Sequence, residues 1–100
     1  MSSSSPLRVA MVGCGGITQA HLAAFEQHPD KLKLVAACDP AELGRETVST
    51  RMSPLGEVKM FESAEAMIPA VKDEADAALI TTPHFLHYPQ ARLCVDHGLP

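Results

Sequence analysis

The chain has no tryptophan, one tyrosine (Tyr88) and three phenylalanines, so aromatic residues make up only 4% of it. That scarcity removes the stacking platforms on which proteins hold single-stranded nucleic acid. Basic residues are also few, 8 Lys and Arg against 12 Asp and Glu, for a net charge of −4. With no basic face to neutralise phosphates, nucleic acid is not expected as a partner. No apolar run approaches the roughly 20 residues of a membrane-crossing helix, so no membrane partner is expected either. Cysteine is limited to Cys14, Cys38 and Cys94, an odd number without a C-x-x-C pair. Neither a disulfide framework nor a zinc site is suggested, and a reducing, cytoplasmic setting is expected. The Ser2–Ser5 run lacks the basic and long apolar segments of a secretory signal, and residues 1–6 read as a disordered tail.

What remains is the composition of a globular protein, 46% apolar and 20% charged, long enough for one domain with a core. Apolar runs alternate with helix-periodic stretches through the whole chain. Arg8–Val12 reads as a strand buried on both faces. Ile17, Ala20, His21, Ala24, Phe25 and His28 form one helical stripe, with Pro29 as a stop. Lys33–Cys38 is a second strand, Ala41–Met52 a mostly polar helix, and Val58–Phe61 a third strand. Ser63 is placed to cap a helix ending near Val71, and Asp76–Thr81 is a fourth strand. A loop, Thr82-Pro83-His84-Phe85, leads to a helix over His87–His97, with Gly98 as its C′ residue. This order predicts parallel strands joined by right-handed crossovers: an α/β, doubly wound, Rossmann-like sheet of about four strands. Gly98-Leu99-Pro100 reads as the approach to a fifth strand, so residues 7–100 are expected to be a dinucleotide-binding domain incomplete at its C-terminus.

The first strand stops at Gly13-Cys14-Gly15-Gly16-Ile17-Thr18, close to G-x-G-x-x-G but with Thr18 in the sixth place. A pyrophosphate at the carboxyl end of a strand needs a tight turn, close backbone approach and free amides at a helix start. Gly13 can supply the turn, Gly15 and Gly16 the room, and the amides of Gly16 and Ile17 the donors. The third glycine of the usual pattern serves helix–strand packing, which a small Thr18 also permits. Alone, three glycines equally describe a structural turn. Context favours the ligand: Asp39 ends the second strand some two dozen residues on, where a carboxylate accepts bonds from the adenosine ribose. It would repel a 2′-phosphate, so NAD is expected rather than NADP. The plainer reading of Asp39-Pro40 is a turn or helix cap. Methyltransferases that use S-adenosylmethionine share this layout, but they carry an acid two places before the first glycine, where this chain has Met11.

Three segments in order, AMVGCGGITQAHLAAF, VAACDP and ALITTPHFLHYPQARLCVDHGLP, resemble the N-terminal domain of the Gfo/Idh/MocA oxidoreductases, the glucose–fructose oxidoreductase and inositol dehydrogenase group. The resemblance implies that Gly13, Gly15, Gly16 and Ile17 hold the pyrophosphate and Asp39 the ribose. It further implies that Thr81, Thr82 and Pro83 line the nicotinamide side with His87 close by. His84 stands where the family usually has Asn. The family's Glu-Lys-Pro motif and its β-rich substrate domain would lie beyond Pro100, so no catalytic residue is assigned in this chain. The implied function is the NAD-binding portion of a dehydrogenase acting on a sugar, polyol or related secondary alcohol, homo-oligomeric at full length. The alternatives are a non-catalytic NAD(H)-binding module or a truncated paralogue, and an NAD-dependent glycosidase.

Other residues invite chemistry with less support. His84 and His87, three apart, lack the further ligands zinc needs, so no metal is expected. For His87 the plainer role is capping or packing on Tyr88. His21, on the apolar stripe, reads as a core histidine, and His28 and His97 sit near helix C-termini, where the dipole favours positive charge. Cys14, near a helix start, could have a lowered thiol pKa, but a small residue fitting a turn is the simpler reading. Cys38 and Cys94 read as buried small hydrophobes.

Overall fold

Four short apolar runs form strands, and the two central ones are covered by helices on both faces. In the computed structural model, which describes residues 6–14, 18–81 and 84–98, with the side chains of 18–20 and 84–88 outside that description, the elements alternate throughout. They are β1 (Leu7–Val12), α1 (Thr18–Gln27), β2 (Leu32–Cys38), α2 (Glu42–Met52), a 3₁₀ turn over Ser53–Leu55, β3 (Lys59–Phe61), α3 (Ala64–Val71), β4 (Ala77–Ile80) and α4 (His84–Asp96). The strands pair in parallel in the order β3-β2-β1-β4. The chain therefore winds outward from β1 to β3, then crosses back to β4 on the other side of β1. Right-handed crossovers put α1 and α2 on one face and α3 and α4 on the other. This is the expected Rossmann-like α/β sheet.

Two cores follow from the two faces. Val9, Met11, Leu22, Phe25, Leu34, Ala37, Val48 and Met52 pack under α1 and α2. Ala10, Val12, Ala36, Cys38, Met67, Ile68, Val71 and Cys94 pack under α3 and α4. Ala10, Ala36 and Ala37 are fully buried at the sheet centre, where small side chains let helices approach closely. A register shift opposes Val9 to Leu34 but Ala10 to Ala36, leaving Val35 as an extra residue in β2. Val35 and Ala36 consequently both face α3, and the alternation of the rest of β2 is reversed. Without that bulge, Asp39 would leave the sheet on the side opposite Cys14.

Two expectations are corrected here. α1 is rotated from the predicted stripe: Leu22 and Phe25 are buried, whereas His21 is exposed. The stripe was phased on small alanines, and the larger side chains decide, each contributing on the order of 2 kcal/mol on burial. α4 begins at His84 and not at His87. Pro89 lies inside this helix, as Pro69 does inside α3. His84 and Phe85 are thus helical. Elsewhere the expected signals hold: Ser63 Oγ accepts the Ala66 N–H at 3.1 Å, and Gly98 has φ 74° after α4. Among the described residues no helix is long and apolar enough to cross a membrane.

Candidate functional site

The strand order reverses between β1 and β4, and in open α/β sheets ligands settle at the carboxyl ends of the strands there. Gly13 follows β1 and keeps one more ladder bond, its N–H donating to Cys38 O at 2.8 Å. Its φ is then 109°, a region that L side chains rarely adopt, so the sharp turn requires glycine. Thr81 follows β4. Its N–H donates to Val12 O at 2.9 Å, and its hydroxyl lies 3.1 Å from Val12 O and 3.3 Å from Gly13 O. The hydroxyl proton goes to those carbonyls and ties the end of β4 to the end of β1.

Asp39 follows β2, with its N–H donating to Phe61 O at 3.1 Å. Its carboxylate is held from two sides: Oδ2 accepts the Cys14 N–H at 2.9 Å, and Oδ1 accepts the Ala41 N–H at 2.8 Å. The first bond joins it to the glycine turn, and the second closes a turn into α2. Arg45 Nη1 donates to Asp39 O at 2.8 Å and to Pro40 O at 3.2 Å. A Cβ on Gly44 would lie 3.2 Å from both Cys14 Cβ and Cys14 O, so α2 presses directly on the glycine turn. Beside this edge is a cavity of about 260 Å³ whose lining includes Gly13, Asp39, Glu62, Ser63, Glu65 and Gln90. Among the described residues that line it there is no lysine or arginine.

Cys14 is buried, and burial, reinforced by the Asp39 charge, pushes its thiol up to about 11. Its Sγ lies 3.6 Å from Cys38 O, as a donor to that carbonyl. The helix-start argument for a lowered pKa therefore loses to desolvation, and Cys14 is a packing residue. Burial likewise pushes Cys38 up to about 12.

Gly13, Asp39 and Thr81 thus lie along one edge, on three adjacent strands. Gly15, Gly16, Ile17, Thr82 and Pro83 lie outside the described residues, and His87 falls within α4 with its side chain outside them. Reasoning from sequence missed Gly44, Arg45, Glu62 and Glu65. The first two left a trace, since a glycine and a cation in the first turn of a helix both oppose local preference.

Residues 7–100 match the GFO_IDH_MocA family model, described as an oxidoreductase family with an NAD-binding Rossmann fold. The chain belongs to this family. It is 28% identical over 96 residues to D-glucoside 3-dehydrogenase of Escherichia coli strain K12, covering 96% of this chain and 26% of that protein. The WlbA dehydrogenase of Chromobacterium violaceum, crystallised with NADH and UDP-GlcNAcA, is 28% identical with a TM-score of 0.86, over 98% of this chain and 27% of that one. The WlbA dehydrogenase of Bordetella pertussis, with the same two ligands, is 30% identical with a TM-score of 0.81, over 94% and 27%. The chain spans about a quarter of the length of these Gfo/Idh/MocA relatives.

Proposed function

We propose that residues 7–100 form the NAD-binding part of an oxidoreductase that transfers hydride between a nicotinamide cofactor and a sugar, polyol or related secondary alcohol. The observation that carries this reading is the alignment of Gly13, Asp39 and Thr81 along the carboxyl edge of β1, β2 and β4. A dinucleotide suits that edge. Each Asp39 oxygen already holds one amide, and a carboxylate takes about four donors, so capacity remains for two ribose hydroxyls. Gly15, Gly16 and Ile17, which precede α1 in the sequence, are assigned to the pyrophosphate, and Thr82, Pro83 and His87 to the nicotinamide side.

The neighbouring cavity favours NAD over NADP. A 2′-phosphate on the adenosine ribose would meet Asp39, Glu62 and Glu65, with no lysine or arginine among the described lining residues to offset them. A bound nicotinamide supplies the hydride chemistry. The residues of this chain bind and orient: Gly13 makes the turn, Asp39 fixes the ribose, and Thr81 pins β4 to β1 where the two halves of the site meet. No proton-transfer role is assigned among them. The same reading makes the protein cytoplasmic, supported by three free, buried cysteines, and homo-oligomeric, supported by the family resemblance.

Titration of the complete protein with NADH and NADPH, followed by nicotinamide fluorescence, tests this. Asp39→Ala removes charge-assisted bonds of about 1.5–3 kcal/mol each, so NADH affinity should fall at least tenfold. NADPH should lose less, since its phosphate is also relieved of repulsion. Equal losses for both would end the assignment of Asp39 to the ribose.

A further inference from the structure

α2 begins against three local preferences. Ala41, at its N-cap, makes no side-chain cap bond. Gly44 occupies the first turn, where it costs about 1 kcal/mol relative to alanine. Arg45 places a cation near the positive end of the helix dipole. Sequences break such rules together where a different demand prevails. For Gly44 the demand is space, because a Cβ would press on Cys14. For Arg45 it is the pair of carbonyls of Asp39 and Pro40, which its Nη1 reaches at 2.8 and 3.2 Å. Those carbonyls precede the first rung of the helix, the Arg45 N–H to Ala41 O bond at 3.2 Å, and so have no place in the ladder.

We propose that Arg45 is a positioning residue for ribose recognition: by fastening the main chain of Asp39 and Pro40 to α2, it holds the Asp39 carboxylate in the orientation that receives the adenosine ribose. This rests on the reading of Asp39 given under Proposed function. Without Arg45, the corner between β2 and α2 would be held, apart from the Asp39 N–H bond to Phe61 O, through the carboxylate itself, by the amides of Cys14 and Ala41. The two oxygens that receive the ribose would then also be the ones that keep the corner closed. Arg45 relieves that double duty by tying the corner through carbonyl oxygens that no ribose hydroxyl needs. The carboxylate can then take further donors without its backbone shifting. Reaching back one turn to two successive carbonyls takes a long stem that ends in a donor nitrogen, which is why a cation stands where the dipole disfavours it.

The test uses the complete protein with Arg45→Met, which keeps the apolar stem and loses the donors, and Arg45→Lys, which keeps a donor. Affinities are measured for NAD, for NADP and for nicotinamide mononucleotide, which has no adenosine ribose, alongside ligand-free melting. Arg45→Met should lose about tenfold in NAD affinity, the worth of one charge-assisted bond, and almost nothing for the mononucleotide. Arg45→Lys should recover most of the loss. Equal losses for NAD and the mononucleotide would show general loosening and overturn the proposal. A larger loss for NADP would also overturn it, making Arg45 a phosphate receiver. Asp39→Ala serves as the reference. If it changes the NAD-to-mononucleotide ratio and Arg45→Met does not, the positioning role fails alone; if Asp39→Ala leaves the ratio unchanged, the ribose reading itself fails. Should Arg45→Met not fold, the Lys variant decides: an NAD affinity as low as that of Asp39→Ala excludes support through the carbonyls.

Discussion

At Gly44 two effects of known size oppose each other. Alanine there would recover about 1 kcal/mol of helix propensity. Its Cβ would also sit 3.2 Å from Cys14 Cβ and Cys14 O, so the glycine turn must give by a few tenths of an ångström. The neighbour is not the tip of a flexible side chain. Cys14 is buried, and its N–H is bonded to Asp39 Oδ2 at 2.9 Å, so any retreat drags the carboxylate with it. Gly44→Ala is therefore expected to leave the melting temperature nearly unchanged while weakening NAD binding several-fold. Calorimetric melting and a nicotinamide-fluorescence titration on the same sample check both halves. A variant that melts higher and binds as before would mean that α2 can shift without consequence for the turn. Gly13 differs in kind, because its φ of 109° strains any side chain whatever the space around it.

Among the elements, α3 shows what a local signal can and cannot reveal. Ser63 before Ala64 reads as a cap from sequence, and its Oγ accepts the Ala66 N–H as expected. Ser63→Ala should cost about 1 kcal/mol, or about 4–8 °C in melting temperature for a domain this size. Because Ser63 lines the cavity beside Asp39 without bonding the carboxylate, the preference for NAD over NADP should not change. A changed preference would give Ser63 a ligand contact. The four strands were legible for the same reason as this cap: apolar runs ending at Gly13, Asp39 and Thr81 state their boundaries locally. What was not legible depends on partners distant in sequence. The Val35 bulge exists only against β1, and Gly44 is explained only by Cys14. His21 was misplaced because one helix's periodicity fixes a stripe's spacing but not its phase. The start of α4 was misplaced because Thr82-Pro83-His84-Phe85 reads as a loop and nothing local marks where that loop gives way to the helix, which begins at His84.

For the molecule as a whole, the ionisable groups bound the range of pH in which the sheet holds. On the acid side, Arg8 and Asp76 join the start of β1 to the start of β4. The guanidinium bonds both carboxylate oxygens at 3.0 and 3.2 Å, and each residue's N–H reaches the other. Arg8 holds the Asp76 carboxyl below its ordinary 3.8, and Arg51 holds Glu26 below its ordinary 4.5. Depressed carboxylates contribute stability that is present above the ordinary values and lost as pH falls through the folded ones. Both pairs are exposed, so this acid limb should be shallow. On the alkaline side the sign is opposite. Burial pushes Cys14 up to about 11 and Cys38 up to about 12, from 9.0 when unfolded. Between pH 9 and those values the unfolded chain releases thiol protons that the folded chain keeps, so stability falls as pH rises. Each thiol can contribute a slope of up to about 1.4 kcal/mol per pH unit. Thermal melts from pH 7 to 10.5 should show the decline, and Cys38→Ala should flatten it, although that variant starts lower because Cys38 fills space between β2 and α3. Every other ionisable group remains in the variant, so the difference between the two slopes isolates the thiol. Parallel slopes would mean that Cys38 meets water in the folded sheet, contrary to its burial.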